Sequence, residues 1–126
     1  MASPHSGRWA PDDHPLQGIT DRPRSAALCN VASTRNGECE ANALRALPHA
    51  PRGTRLVRGW ANLFTDERRW HKHAWLETRA GGILEVTPRY LQSAGRVRYR
   101  PVQRLNRVEV RKLLAIRRAL GDVESG

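Results

Sequence analysis

Three residues have the types and the chain order that nucleophilic acyl chemistry requires: Cys39, His73 and Glu85. A thiolate attacks a carbonyl carbon, an imidazole carries the proton, and a carboxylate orients the imidazole and stabilises its charged form. A free thiol, with an ordinary pKa of about 8.5, is mostly protonated at neutral pH. Cys39 therefore needs a helix N-terminus and a histidinium beside it to stand as a thiolate. Attack gives an acyl-thioester that passes to water or to an amine. Backbone N–H groups at the start of a Cys39 helix can hold the oxyanion, with Asn30 and Asn36 as candidate side-chain amides.

The elements that must position these groups can be read from the same stretches. Residues 70–78 (WHKHAWLET) alternate as a strand does, with His71, His73 and Trp75 on one face and Trp70, Lys72, Ala74 and Leu76 on the other. Ala80, Gly81 and Gly82 make a turn. Residues 83–87 (ILEVT) are β-branched and apolar apart from Glu85 and Thr87, and Pro88 ends them. Two antiparallel strands then bring His73 near Glu85. Upstream, Asn36 and Gly37 offer a helix start and place Cys39 in the first turn, with Glu38 and Glu40 where the helix dipole favours negative charge. Ala41, Leu44 and Leu47 form the apolar stripe of that helix and Pro48 stops it. Cys39, Ala43 and Ala46 give it a small-residue side that can lie close beneath a sheet.

The rest of the chain falls into place around this centre. Residues 1–24, with Pro4, Pro11, Pro15 and Pro23, read as an extended arm that Trp9, Leu16 and Ile19 pin to the domain. Residues 25–32 are a short apolar patch of one or two helical turns, in which Cys29 reads as a packed, inert thiol. Residues 55–64 (RLVRGWANLF) predict a strand with Leu56, Val57, Trp60, Leu63 and Phe64 as core, and with Gly59 as a bulge or a close approach. Residues 65–69 are a polar turn, and residues 90–95 a short connection. Residues 96–105 alternate basic with apolar, and Pro101 confines them to a sheet edge. Asn106 with Glu109 signals a capping box for a final helix, whose Val110, Leu113, Leu114, Ile116 and Leu120 share one side before Gly121. The predicted fold is α+β, an antiparallel sheet packed on the cysteine-bearing helix, with a C-terminal amphipathic helix. Residues 25–121 make one domain, and 122–126 a frayed tail.

The 126 residues suffice for a single modest core, and the net charge is +10, carried almost entirely by arginine. Such a field attracts nucleic acid, acidic proteins or anionic surfaces without choosing among them. Two cysteines build no disulfide framework, and no apolar segment is long enough for a signal peptide or a bilayer span. The expectation is a soluble cytoplasmic protein without membrane contact, in which Cys39 stays reduced.

Gly37-Glu38-Cys39, then Gly59-Trp60-Ala61, then His73-Ala74-Trp75-Leu76-Glu77, then Gly81-Gly82-Ile83-Leu84-Glu85-Val86-Thr87 resembles the core of the transglutaminase-like, papain-type cysteine hydrolase superfamily. That superfamily includes bacterial transglutaminase-like peptidases and leader peptidases of lasso-peptide maturation. The resemblance covers residues 36–88. It implies a papain-like core, Cys39 as nucleophile, His73 as general base and Glu85 as the orienting residue. It also implies a peptide or protein substrate, with hydrolysis or acyl transfer as the outcome and no cofactor or metal. Family members mostly carry aspartate, commonly followed by proline and threonine, where this chain has Glu85-Val86-Thr87. The extra methylene moves the carboxylate by about one bond length, and a misplacement of ~1 Å can cost roughly a hundredfold in rate. A domain this small leaves room for a partner protein to complete the groove.

Plainer fates compete for the same residues. An isolated cysteine is usually a small buried hydrophobe, a strand histidine a satisfied core residue, and a carboxylate amid apolar neighbours the partner of an arginine. A zinc site from His71, His73 and Cys39 with His49 or Glu85 lacks specific spacing. Trp60, Trp70 and Trp75 read as core, and the arginines as a solvated face. The competing function is a non-enzymatic binding module of the same fold, holding an acidic protein or, less favoured, nucleic acid on its basic surface.

Overall fold

The computed structural model describes residues 19–63 and 69–121. Their order is α1 (Arg22–Ala32), α2 (Cys39–Ala46), a 3-10 turn (Leu47–His49), β1 (Arg55–Leu63), β2 (His71–Glu77), β3 (Ile83–Leu84), α3 (Pro88–Gln92), β4 (Val97–Leu105) and α4 (Arg107–Ala119). The strands form one antiparallel sheet in the order β3-β2-β1-β4. This is the α+β layout that the hydrophobic pattern predicts, with the Pro101 strand at an edge.

β1 and β2 are the spine. They pair with Gly59 opposite His73 and Arg58 opposite Ala74. Because side chains alternate, this register sends Leu56, Ala74 and Leu76 into a cluster with Ala43, Ala46 and Leu47 of the helical layer. Val57, Trp75 and Tyr99 form a second cluster, with Tyr90 packed against it. The fully buried Leu56, Leu76 and Leu84 anchor the first cluster. Each contributes about 2–5 kcal/mol by the usual cost of truncating a core leucine to alanine.

α2 buries the side carrying Ala43 and Ala46, whereas Ala41 and Leu44 remain only half covered. Absence of bulk at Ala43 and Ala46 lets the helix axis approach β2. The helix begins at Cys39 and not at Asn36, because Gly37 takes a left-handed φ of 83° that no helix residue adopts. Asn36 instead accepts a hydrogen bond from the Arg89 N–H, 2.7 Å away, at the start of α3.

The expectation of an extended arm over residues 1–24 is corrected at its end. Arg22, Pro23 and Arg24 are already helical, since Asp21 caps α1 by accepting from the Arg24 N–H and Pro23 suits a first turn. Thr20 bridges Ile83 in parallel, which ties this end to the sheet. Residues 1–18, 64–68 and 122–126, on which the rest of the expected arm, the core assignment of Phe64, most of the expected polar turn and the expected tail fall, lie outside the described residues.

Gly59 lies at a register shift between β1 and β4, opposite Pro101. A Cβ there would stand 2.1 Å from the Arg100 carbonyl oxygen, so only glycine permits this backbone approach. The predicted strand over residues 83–87 is shorter than its pattern suggests: it ends at Leu84, because the Glu85 N–H donates to Ser25 Oγ and the Thr87 N–H to Glu85 Oε2 instead of a ladder. The short connection after it contains the one-turn α3. The capping box of α4 is present, with Asn106 and Glu109 exchanging hydrogen bonds of 2.8 Å. Its apolar side is only partly used. Val110 is buried, but Ile116 is 57% exposed and Leu120 80% exposed, because both lie well around the helix from Val110, whose face is continued by Leu114 and the half-buried Arg117 that reaches Glu40 of α2. Among the described residues no helix is long and apolar enough to cross a membrane.

Candidate active site

Cys39 occupies the first helical position of α2, half-buried, where the helix has no side-chain cap. The first-turn N–H groups of such an end are free to face an anion. β3 pairs only with Leu76 and Glu77, so Ala74 has no partner there. Its backbone N–H, with that of Glu40, is among the donors that favour the Cys39 thiolate. Burial pushes the thiol pKa up, but hydrogen bonding to His73, the charge of His73 and those two backbone donors outweigh it and hold the thiol below its ordinary value.

His73 is 3% exposed and donates from Nε2 to Glu85 Oε1 over 2.9 Å. Burial alone lowers an imidazole pKa. Here the Glu85 charge, a hydrogen bond with Cys39, the hydrogen bond to Glu85 and the Cys39 charge together raise it to about 9. Nδ1 is buried and has no partner of full hydrogen-bond geometry. With Nε2 committed to Glu85, Nδ1 is the nitrogen left for the thiol. Tyr90 stacks on the ring with centroids 3.9 Å apart and planes 23° apart, and so covers one face of the imidazole against water.

Glu85 is fully buried and its carboxylate accepts hydrogen bonds on both oxygens. Oε1 accepts from His73 and from the Tyr99 hydroxyl, 2.7 Å away, and Oε2 accepts from the Thr87 N–H at 3.0 Å. The buried carboxylate thus has a histidine for its ionic partner, while Arg55 and Arg104 both converge on Glu77. Tyr99 is held as a neutral donor: burial, then the Glu85 charge, push its pKa well above the ordinary value.

Three supporting residues escape a reading of the sequence alone. Tyr99 lies in the edge strand and reaches Glu85 only through the sheet order. Ser25 holds the Glu85 backbone from α1. Asn42, fully buried, donates to Thr87 Oγ1 over 3.0 Å and to the Arg35 carbonyl over 2.7 Å, and accepts from the Arg35 N–H. It couples the helix bearing Cys39 to the segment bearing Glu85. Its signal was available, because an asparagine inside a helix, one turn from the cysteine on the buried side, is a poor helix former.

The remaining candidates are elsewhere. Asn36 is spent on α3, and Asn30 lies exposed on α1. His49 and His71 are exposed, and among the described residues no three histidine, cysteine or acidic side chains are grouped to hold a metal ion. Cys29 packs against the helical core. Burial pushes its thiol pKa up, the Thr34 hydrogen bond opposes this, and the Glu85 charge adds to it. Trp75 is core, as its pattern predicts, but Trp60 is half-buried in the wall of a groove. That groove, of about 600 Å³, opens in front of Cys39 and His73, between Glu40, Arg58, Gly59, Lys72, Val102, Gln103 and Arg117.

Comparison of the chain with family models, with curated proteins and with solved structures finds no match in any of the three.

Proposed function

We propose that this chain is a small cysteine hydrolase of transglutaminase-like, papain-type fold, cleaving or transferring a peptide or other amide acyl group through Cys39, His73 and Glu85. The observation that carries the proposal is the connected buried set. Glu85 holds His73 by Nε2, and the same imidazole lowers the pKa of a thiol seated at a helix start and facing a groove. The order of elements also supports it, with a cysteine helix followed by a histidine strand and then an acidic residue beside that strand.

The chemistry follows from the proton positions. The Cys39 thiolate bonds to the carbonyl carbon, and the C=O electron pair moves to oxygen, where first-turn N–H groups of α2 can meet it. Collapse expels the amine, which takes its proton from the His73 imidazolium, and leaves a thioester. Water or a second amine adds to the thioester, giving its proton to the now neutral His73. Breaking the C–S bond releases the acyl product and restores the thiolate and imidazolium. Glu85 keeps the ring in one orientation throughout.

The test is the rate of iodoacetamide labelling at each cysteine from pH 4 to 9, by mass spectrometry, with His73→Ala alongside. Cys39 should label fast well below pH 8, Cys29 should not, and His73→Ala should slow Cys39 at the acidic end. A Cys39 that behaves as an ordinary thiol, indifferent to His73, ends the catalytic proposal.

A further inference from the structure

The walls of the Cys39 groove are not chemically neutral. Beside the Cys39–His73 pair itself, the charged side chains of its walls are the cations Arg58, Lys72 and Arg117 and one anion, Glu40. Glu40 draws both guanidiniums toward the helix start: Arg58 Nη2 lies 2.6 Å and Arg117 Nη2 3.4 Å from Glu40 Oε2. Arg58 also donates to Gln103 Oε1 over 3.2 Å. Each guanidinium presents five N–H donors in a fork, and the Arg58 and Arg117 side chains, 29% and 32% exposed, line the groove, so one shared carboxylate does not exhaust their donors. Lys72 is exposed on β2, adjacent in sequence to His73. Val102, which also lines the groove, is 66% exposed on an edge strand whose outer side faces no further strand among those described. An extended backbone can lie along such an edge.

From this we infer that the groove selects an acidic peptide segment: a stretch carrying aspartate or glutamate beside the bond presented to Cys39. The carboxylates of that segment sit against Arg58, Lys72 and Arg117, and Glu40 both arranges the two arginines and sets how much net positive charge is left for the substrate. The inference rests on the catalytic proposal for the identity of the groove as a substrate groove. Its charge preference is measurable independently of turnover.

The experiment uses the full chain and compares two alkylating probes at Cys39, anionic iodoacetate and neutral iodoacetamide, in native protein and in Lys72→Gln, Arg117→Gln and Glu40→Gln. The ratio of the two rates reads the potential at the thiol, because any change in thiolate population cancels. At low salt, each cation removed should lower the ratio by roughly twofold, and Glu40→Gln should raise it by about as much, the effect of one unit charge across ~10 Å of water-like medium. Near 1 M salt the differences should collapse. In parallel, hexaglutamate should protect Cys39 from iodoacetamide where hexalysine does not. A ratio that ignores all three substitutions, or equal protection by both peptides, overturns the inference. Better protection by an oligothymidylate than by hexaglutamate overturns it also and assigns the groove to nucleic acid. The catalytic proposal fails separately, through the absolute iodoacetamide rate and its dependence on His73.

Discussion

Glu85→Gln isolates the electrostatic contribution of one buried group at nearly constant shape. In the native chain Glu85 is the leading influence that raises the His73 pKa, to about 9 from an ordinary 6.5, against a burial effect that works the other way. A shift of that size corresponds to about 3 kcal/mol, or roughly 300-fold in proton affinity. At pH 7 the imidazole is then ~99% protonated. Without the carboxylate, burial acts against the cation and only the hydrogen bond and charge of Cys39 oppose it, so the protonated fraction at pH 7 falls. The amide can still be accommodated: its oxygen accepts from the Thr87 N–H and its NH₂ donates to a neutral His73 Nε2. What is lost is charge more than packing. The Cys39 thiol then loses the imidazolium that helps hold its pKa down, and iodoacetamide labelling at pH 7 should slow by about tenfold or more. NMR titration of the His73 ring should move toward acid in the same variant. A folded Glu85→Gln protein whose Cys39 labels at the native rate at pH 7 would refute the claim that this carboxylate drives the thiol.

The pH dependence of stability separates the two partners of the pair. His73 binds its proton more tightly when folded, so its contribution is complete below about pH 6.5 and is lost as pH rises through about 9. Cys39 releases its proton more readily when folded, so its contribution is present above the ordinary thiol value and is lost as pH falls through the lowered one. The two slopes oppose each other in native protein; in Cys39→Ser the second is gone while Glu85 still holds the His73 pKa up, and the thermal midpoint should drop more steeply as pH rises above 6.5 than it does in native protein. Parallel curves for the two proteins would contradict the linkage. Tyr99→Phe removes one of the two donors to Glu85 Oε1 and should cost about 2 kcal/mol by urea unfolding, the usual size of a hydrogen bond to a buried charge. An unchanged midpoint would mean that Glu85 does not need the tyrosine. Gly59→Ala puts a methyl group against the Arg100 carbonyl and should cost about 1–3 kcal/mol by opening the β1–β4 bulge beneath the groove. A thermal midpoint within about 1 °C of native would show that the bulge yields freely.

Much of this architecture is local in origin and therefore legible along the chain. Alternation over 70–77 makes β2 and puts His73 and Trp75 on one face. Gly81 and Gly82 make the turn, and the Asn106–Glu109 capping box starts α4, because each depends on neighbours a few residues apart. The same local grammar places Cys39 in the first turn of a helix and Glu85 across a hairpin from His73. The helix of residues 22–24 was equally local in its Asp21 cap, but the prolines of the preceding stretch obscured it.

Tertiary structure decided what those residues are for one another. Glu85 could have met any of the arginines; the sheet order gives those at Arg55 and Arg104 to Glu77, and the early end of β3 turns Glu85 toward His73 and Tyr99. Asn42 joins α2 to Thr87 across 45 residues of chain. Ile116 and Leu120 belong to the same broad apolar side as Val110 but lie about 120° and about 80° around the helix from it, and only Val110 finds a surface to cover it. Sequence period fixes which side of an element is apolar, whereas burial depends on where the neighbouring elements end. In the same way the sequence supplies a thiol, an imidazole and a carboxylate, and the fold alone sets the distances and the desolvation that couple their protons.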